Sequence, residues 1–385
     1  MLYRNSPNKL LERGGYKTMT APYVGIMVND KMYSWIPSGT TKYEAIHYYI
    51  EAGKRYGVTP CFFRMQDCKE DGTVKAYVNE NNRYVEKIIP TPTVIHNRAI
   101  YPTEKENVQL AAWEENGLRI FNRWNRYGKL KVHELLMLDD TLRPHLPGTF
   151  PATPAHITEM MRMYDEIIVK PDRSSVGRGV MKLKREPGGW VLIYPRTLSV
   201  NNKHFKQLRF RSALPRLLHK RLAGMSYIVQ QCLPLATYRG RPFDMRVSVQ
   251  RGAAGDWQVT GIIAKVAGKA TFITNVAQGG TVHRLEHIIQ EEYPQLNPDK
   301  VLADVCNFSL RAAKQMSARL PHLADLGMDI GITASGFPLF IECNGKDQRY
   351  GFREAGMMDE WKSTYFNPMA YAKYLLDHPD GTPPM

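Results

Sequence analysis

From Phe243 to Gln250 apolar and polar side chains alternate strictly. Phe243, Met245, Val247 and Val249 fall on one side and Asp244, Arg246, Ser248 and Gln250 on the other, which is the period of a strand with one apolar face. Its polar face could meet solvent or could equally floor a site. The same reasoning folds the stretch DIGITASGFPLFIECN (residues 329–344) into a hairpin about Ser335 and Gly336. In that register Met328 meets Cys343, Ile330 meets Ile341 and Ile332 meets Leu339, so one face packs inward. The other face sets Asp329 directly opposite Glu342, with Asn344 two residues further along and pointing the same way.

Elsewhere the pattern predicts a strand at 23–28, a helix over 43–57 stopped by Gly57, and strands at 61–65 and 91–100. Strands alternating with a helical segment predict a small α/β domain over residues 21–127, after a polar tail at 1–20. A second unit spans 128–376. It opens on a helix at 128–137 and carries strands at 166–170, 179–184, 226–235 and 257–268. A long helix over 298–319 follows Asn297 as cap and Pro298 at the first helical position. A last helix is expected at 368–377, before an unstructured tail over 377–385.

Charge changes the picture more than composition does. The chain of 385 residues has a formal net charge of +15, pointing to anionic partners, while 43% hydrophobic and 23% charged residues are those of ordinary globular material. No apolar run is long enough to cross a bilayer, and the basic N-terminus lacks the apolar centre of a secretory signal. Five scattered cysteines without zinc spacing fit a reducing cytosol. Cys61, Cys68 and His96 match no metal arrangement and read as core and loop residues. Between Arg196 and Arg221 stand eight basic residues and no acid. This insert, residues 196–221, could bind nucleic acid, an acidic polymer or an anionic surface, but such runs are usually just solvated, and a poorly ordered insert is the expectation.

Candidate chemistry gathers at two places. Carboxylates facing each other across a hairpin have Cβ atoms only about 4.5–5.5 Å apart, so a positive group should sit between them. Asp329, Glu342 and Asn344 form an all-oxygen set suited to Mg²⁺ or Mn²⁺, which would share its remaining sites with the phosphates of a nucleotide. Acids held apart by water or bridged by a lysine explain the pair equally well. At residues 166–186, Lys170 ends a strand before a loop with Ser174, Ser175, Gly177 and Gly179, whose backbone N–H groups can close over phosphates. Turns use glycine anyway, and no Walker-type GxxxxGK[ST] is present. Asn275 and the Gly279–Gly280 pair mark a further loop whose backbone can approach a ligand, a candidate substrate contact.

The order of these pieces, namely a strand lysine before a small-residue loop, a QQ strand, D-x-R, a later lysine, T-N then G-G, and finally D…E-x-N, resembles the catalytic half of ATP-grasp ligases over residues 129–346. More narrowly, VKPDRSSVGRGV, YIVQQ, PFDMRV, ITNVAQGG, LGMDIGI and FIECNG are similar to the YheC/YheD family of endospore-coat-associated ATP-grasp proteins. The resemblance implies two α+β subdomains clamping ATP, with the 21–127 unit in front of them. It implies that Lys129 and Lys170 contact ATP phosphates under the 174–179 loop. Gln231, with Gln230 beside it, would accept from the adenine amino group, a place where many such enzymes carry Glu. Arg246 and Lys265 would stabilise phosphoryl charge, and Asp329, Glu342 and Asn344 would hold two Mg²⁺ ions. GKDQRYGF after Asn344 departs from the small-residue and Pro segment of peptide-forming members, so the acceptor can differ.

The function implied is an ATP-dependent carboxylate–amine ligase working through an acylphosphate during spore formation, on an unidentified substrate such as a peptide or acidic polymer. The alternative is a spore-coat-associated structural protein that keeps an ATP-binding scaffold and turns over little; spore-coat proteins are then its partners. A nucleic-acid binder using residues 196–221 ranks below both. No Ser/His/Asp or Cys/His set stands out, and by alternation Cys343 points to the apolar face.

Overall fold

A computed structural model describes residues 21–41, 44–101, 103–174, 177–196, 205–268, 274, 279–320 and 322–379. The tail at 1–20, Ser175, Asn275 and residues 197–204 of the basic run lie outside the described residues. Three sheets carry the fold.

The first sheet is built on Tyr23–Met27, which runs parallel to both Thr59–Phe63 and Val94–Asn97, with Arg119–Phe121 parallel beyond the latter. Its other edge is an antiparallel hairpin, Thr73–Glu80 with Arg83–Pro90. The helix Ile46–Tyr56 covers one face, ending at Gly57 as the sequence predicts. Cys61 and His96 are buried in this layer, as expected of core residues.

The second sheet is wholly antiparallel, in the order Phe205–Phe210, Gly189–Pro195, Met181–Glu186, Glu166–Pro171, Tyr227–Gln231, Thr149–Pro151. The described part of the basic run is not a loose insert. Phe205–Phe210 is the sheet's outer strand, and Arg216–Gly224 is a helix whose Leu218 is fully buried in the core under the sheet. Its cations sit on the outward side of an edge strand and an amphipathic helix, and this is why the charge obscured the periodicity.

The third sheet runs Thr281–His283, Trp257–Val266, Arg241–Arg251, Asp325–Ile332, Pro338–Asn344. The helix Pro298–Ser317 lies on its apolar face, and Asn297 Oδ1 accepts from the Asp299 and Lys300 N–H groups at 2.9 and 3.3 Å. Within the hairpin Asp329 pairs with Glu342 and Met328 with Cys343, but a bulge after Asp329 shifts the rest. Ile330 meets Phe340 and Gly331 meets Leu339, not the expected Ile330–Ile341 and Ile332–Leu339 pairs. The turn is correspondingly longer: Gly336 donates back to the Thr333 carbonyl and takes φ of 83°, a conformation that glycine adopts without strain.

The last helix is Met358–Asp377, ten residues longer at its start than expected, because Pro368 lies inside it. Proline cannot donate to the carbonyl four residues back, that of Thr364. The Gln250 side chain donates to that carbonyl instead, at 2.9 Å. This helix packs on Ile46–Tyr56 of the first layer and on the third sheet together, so the two share one apolar core. Among the described residues no helix is long and apolar enough to cross a membrane.

Candidate functional site

Two cavities flank the Pro338–Asn344 strand. The first, about 360 Å³, lies between the second and third sheets. Lys170, Gly177, Gln230, Gln231, Lys265, Asp329 and Glu342 all line it, so residues spread over 170 positions of sequence converge on one space. The second, about 400 Å³, opens toward the first layer. It is bounded by Lys129, Ser174, Arg246, Glu342 and Asn344, and from the first layer by Glu44 and Arg98. Glu342 lines both.

The polar face of Arg241–Arg251 floors this site and is buried throughout. Arg246 stands in register with Asp329 and donates to it through Nε at 2.8 Å and Nη2 at 3.3 Å. Lys265, from the neighbouring strand, reaches Asp329 Oδ1 at 2.8 Å and Asp244 Oδ1 at 2.9 Å. Burial opposes the Asp329 charge, but Arg246 and then Lys265 outweigh it and hold the carboxyl well below the usual carboxylate range. Burial instead pushes Asp244 up, against the pull of Lys265. The positive group expected beside Asp329 is therefore supplied by two protein cations.

Glu342 is placed differently. It is half-buried, 3.5 Å from Lys129 Nζ, and receives the Asn344 amide at 3.4 Å. Lys129 also donates to the Ser174 carbonyl at 2.7 Å, tying the helix start to the small-residue loop. Lys170 is buried and donates to the Ile341 carbonyl at 3.3 Å; burial pushes its ammonium down to about 8. Gln230 donates to Thr149 Oγ1 at 2.8 Å, while Gln231 is the less buried of the pair. Among the described residues no three of His, Cys, Asp and Glu cluster as metal ligands; the candidate set instead counts an amide.

Other sequence candidates stand apart. Gly179 is buried and lines neither cavity, and Ser174 lines the second cavity, not the one beside Lys170. Gly279 and Gly280 line neither. A side chain at Gly280 would collide with the Thr274 carbonyl, so its smallness serves the backbone there.

The sequence reading missed a buried ionic network beneath the second cavity. Asp347 accepts from Arg246 at 3.1 Å and from Ser248, and its own carbonyl accepts from Arg98 at 2.8 Å. Arg98 also pairs with Glu44 and, at 3.1 Å, with Asp325, which receives Arg349 and the Gln250 amide as well. Asp347 and Arg349 belong to the GKDQRYGF segment that follows Asn344. The only signal available was the density of charge after an otherwise apolar strand.

Comparison with known proteins adds a family and a fold. Residues 117–375 match the family model described as YheC/D like ATP-grasp. The chain is 25% identical over 323 residues to the endospore coat-associated protein YheD of Bacillus subtilis (strain 168), covering 80% of this chain and 68% of that relative. It is 21% identical over 347 residues to the endospore coat-associated protein YheC of the same organism, covering 86% and 92%. Among solved structures, D-alanyl-alanine synthetase A from Vibrio cholerae O1 biovar eltor matches with a TM-score of 0.53 at 12% identity, over 93% of this chain and all of the other. The VanG D-Ala:D-Ser ligase from Enterococcus faecalis matches at 0.51 and 10%, over 91% and 99%. At these identities the solved structures share the fold with this chain and nothing finer.

Proposed function

The chain belongs to the YheC/D-like ATP-grasp family and has the ATP-grasp fold, and from that premise we propose that it is an ATP-dependent carboxylate–amine ligase. One observation carries the reading: Glu342 lines both cavities, so a nucleotide in one and a substrate in the other would meet at a single carboxylate. ATP would lie in the cavity between the sheets, its adenine toward Gln230 and Gln231 and its phosphates toward Lys170 and Lys129. The relatives' association with the endospore coat suggests where such a ligase would work.

The chemistry needs no side-chain nucleophile. A substrate carboxylate oxygen attacks the γ-phosphorus, the bond from that phosphorus to the β-phosphate oxygen breaks, and ADP leaves. An amine nitrogen then attacks the acyl carbon of the acylphosphate, expels inorganic phosphate and loses a proton, leaving an amide. Lys129, Lys170 and Arg246 would hold negative charge as it moves onto the transferring group.

Mg²⁺ or Mn²⁺ would fit Glu342, Asn344 and Asp329, an all-oxygen set of the kind that shares its ion with substrate phosphates. Of the three, Glu342 and Asn344 would be the principal ligands, because Asp329 is already neutralised by Arg246 and Lys265. The ion would supply charge neutralisation at the phosphates.

The test is calorimetric titration with the non-hydrolysable analogue AMP-PNP, with and without Mg²⁺. Metal-dependent binding supports the ligase reading and opens a screen of carboxylates and amines by ADP release. Absence of binding would leave a coat-associated scaffold without its chemistry.

A further inference from the structure

The cavity beyond Glu342 does not end where one small substrate would fill it. A further cavity of about 240 Å³ continues from it, sharing Asn125, Arg126 and Arg173, and runs out past Arg123, Trp124 and Asn107. No Asp or Glu lines this outer part. In the inner part seven Lys and Arg side chains line the walls against three carboxylates.

What matters is which of these cations are already satisfied. Arg98 and Arg246 are committed to buried acids, Lys129 to Glu342, and Arg123 to Glu114. Among the described residues Arg126 donates only to the Arg173 carbonyl, and Arg173 has only a 3.9 Å approach to Asp172. Arg178 and Lys346 have no side-chain hydrogen bond or ion pair with any described residue. Four uncommitted cations thus line the cleft, Lys346 and Arg178 in its inner part and Arg173 and Arg126 where the two parts meet.

Building on the ligase reading, we propose that this continuous cleft binds an acidic peptide, one end carboxylate at Glu342 and its further carboxylates along Lys346, Arg178, Arg173 and Arg126. Guanidinium groups pair with carboxylates in a bidentate fork, and tandem cavities suit an extended chain better than a single amino acid. A nucleic acid fits less well. Single strands are held by stacking bases on free aromatic faces, and the one indole here, Trp124, lies nearly parallel to Tyr127 at 6.5 Å and donates to the Arg126 carbonyl.

The experiment titrates the full chain, with AMP-PNP and Mg²⁺ present, with penta-L-glutamate, penta-L-alanine and a thymidine pentanucleotide. Pentaglutamate should bind, weaken with added salt, and lose at least tenfold in affinity in the Arg126→Ala/Arg173→Ala double variant. Both arginines are exposed, so the variant should fold, and AMP-PNP affinity should stay within about twofold. Equal binding of pentaglutamate to the variant, no binding to the wild type, or equally tight pentanucleotide binding would overturn the assignment. If AMP-PNP fails to bind while arginine-dependent pentaglutamate binding persists, the cleft assignment stands and the ligase reading falls.

Discussion

Arg246 and Asp329 stand in register on adjacent antiparallel strands and are joined by two hydrogen bonds, both side chains almost fully buried. A pair so enclosed adds little net stability against an apolar pair, yet removing one partner leaves the other charge uncompensated. Asp329→Asn strands Arg246 and Lys265 together. The expected cost is about 3–5 kcal/mol in urea denaturation. An unchanged midpoint would mean that these cations find their counter-charge at Asp244 and Asp347 alone.

Glu342 should behave in the opposite way. It is half-buried and its described ion pair is a 3.5 Å approach to Lys129. Glu342→Gln should leave the melting temperature within a degree or so while lowering Mg²⁺-dependent ADP release by about 10²–10³-fold, the scale of losing one electrostatic group at a phosphoryl-transfer centre. Turnover equal to wild type would remove Glu342 from the site.

Lys170 should make nucleotide binding pH-dependent. Its ammonium is lowered from 10.5 to about 8 by burial. Below about pH 8 it is charged in both folded and unfolded chains, and burying that charge costs stability. As pH rises through 8 the folded form sheds the proton while the unfolded form keeps it to 10.5, so that cost is lifted. A triphosphate beside Lys170 would favour the charged form. AMP-PNP binding at pH 8 should therefore take up about half a proton, read from titrations in buffers of different ionisation enthalpy, and Lys170→Met should abolish the uptake. Uptake persisting in the variant would place the titrating group elsewhere.

Gln250 serves three partners at once: the Asp325 carboxylate, the Thr364 carbonyl left open by Pro368, and Thr260 Oγ1. Gln250→Leu keeps the volume and orphans these groups. A loss of about 1–3 kcal/mol is expected in urea denaturation, and Pro368→Ala in the same background should recover part of it by restoring a donor to Thr364. Failure of that rescue would show that the Thr364 contact carries no weight.

Much of the site could be read from alternation alone. The Asp329–Glu342 pairing follows from period-two patterning, and that patterning holds up to the bulge, whose extra residue leaves no mark in side-chain type. The helix start at Met358 was hidden because Pro368 reads as a boundary, and only a residue more than a hundred positions away compensates it. The Thr73–Glu80 and Arg83–Pro90 hairpin turns on Asn81 and Asn82, both with positive φ, an Asn-Asn signal that its charged neighbours mask. Asp347, Arg349, Arg98 and Glu44 form their network through tertiary proximity between the first layer and the third sheet, which no local period encodes.

The packing of Met358–Asp377 on Ile46–Tyr56 also bears on how the molecule is made. The first sheet emerges early in synthesis, but one side of its hydrophobic core is completed only by residues some three hundred positions later. Contacts of that sequence separation close slowly, so the nascent first layer waits with apolar surface open while the rest is translated. Chains cut short before Met358 should accumulate as aggregates or protease substrates, even though every residue lining the two central cavities has already been made.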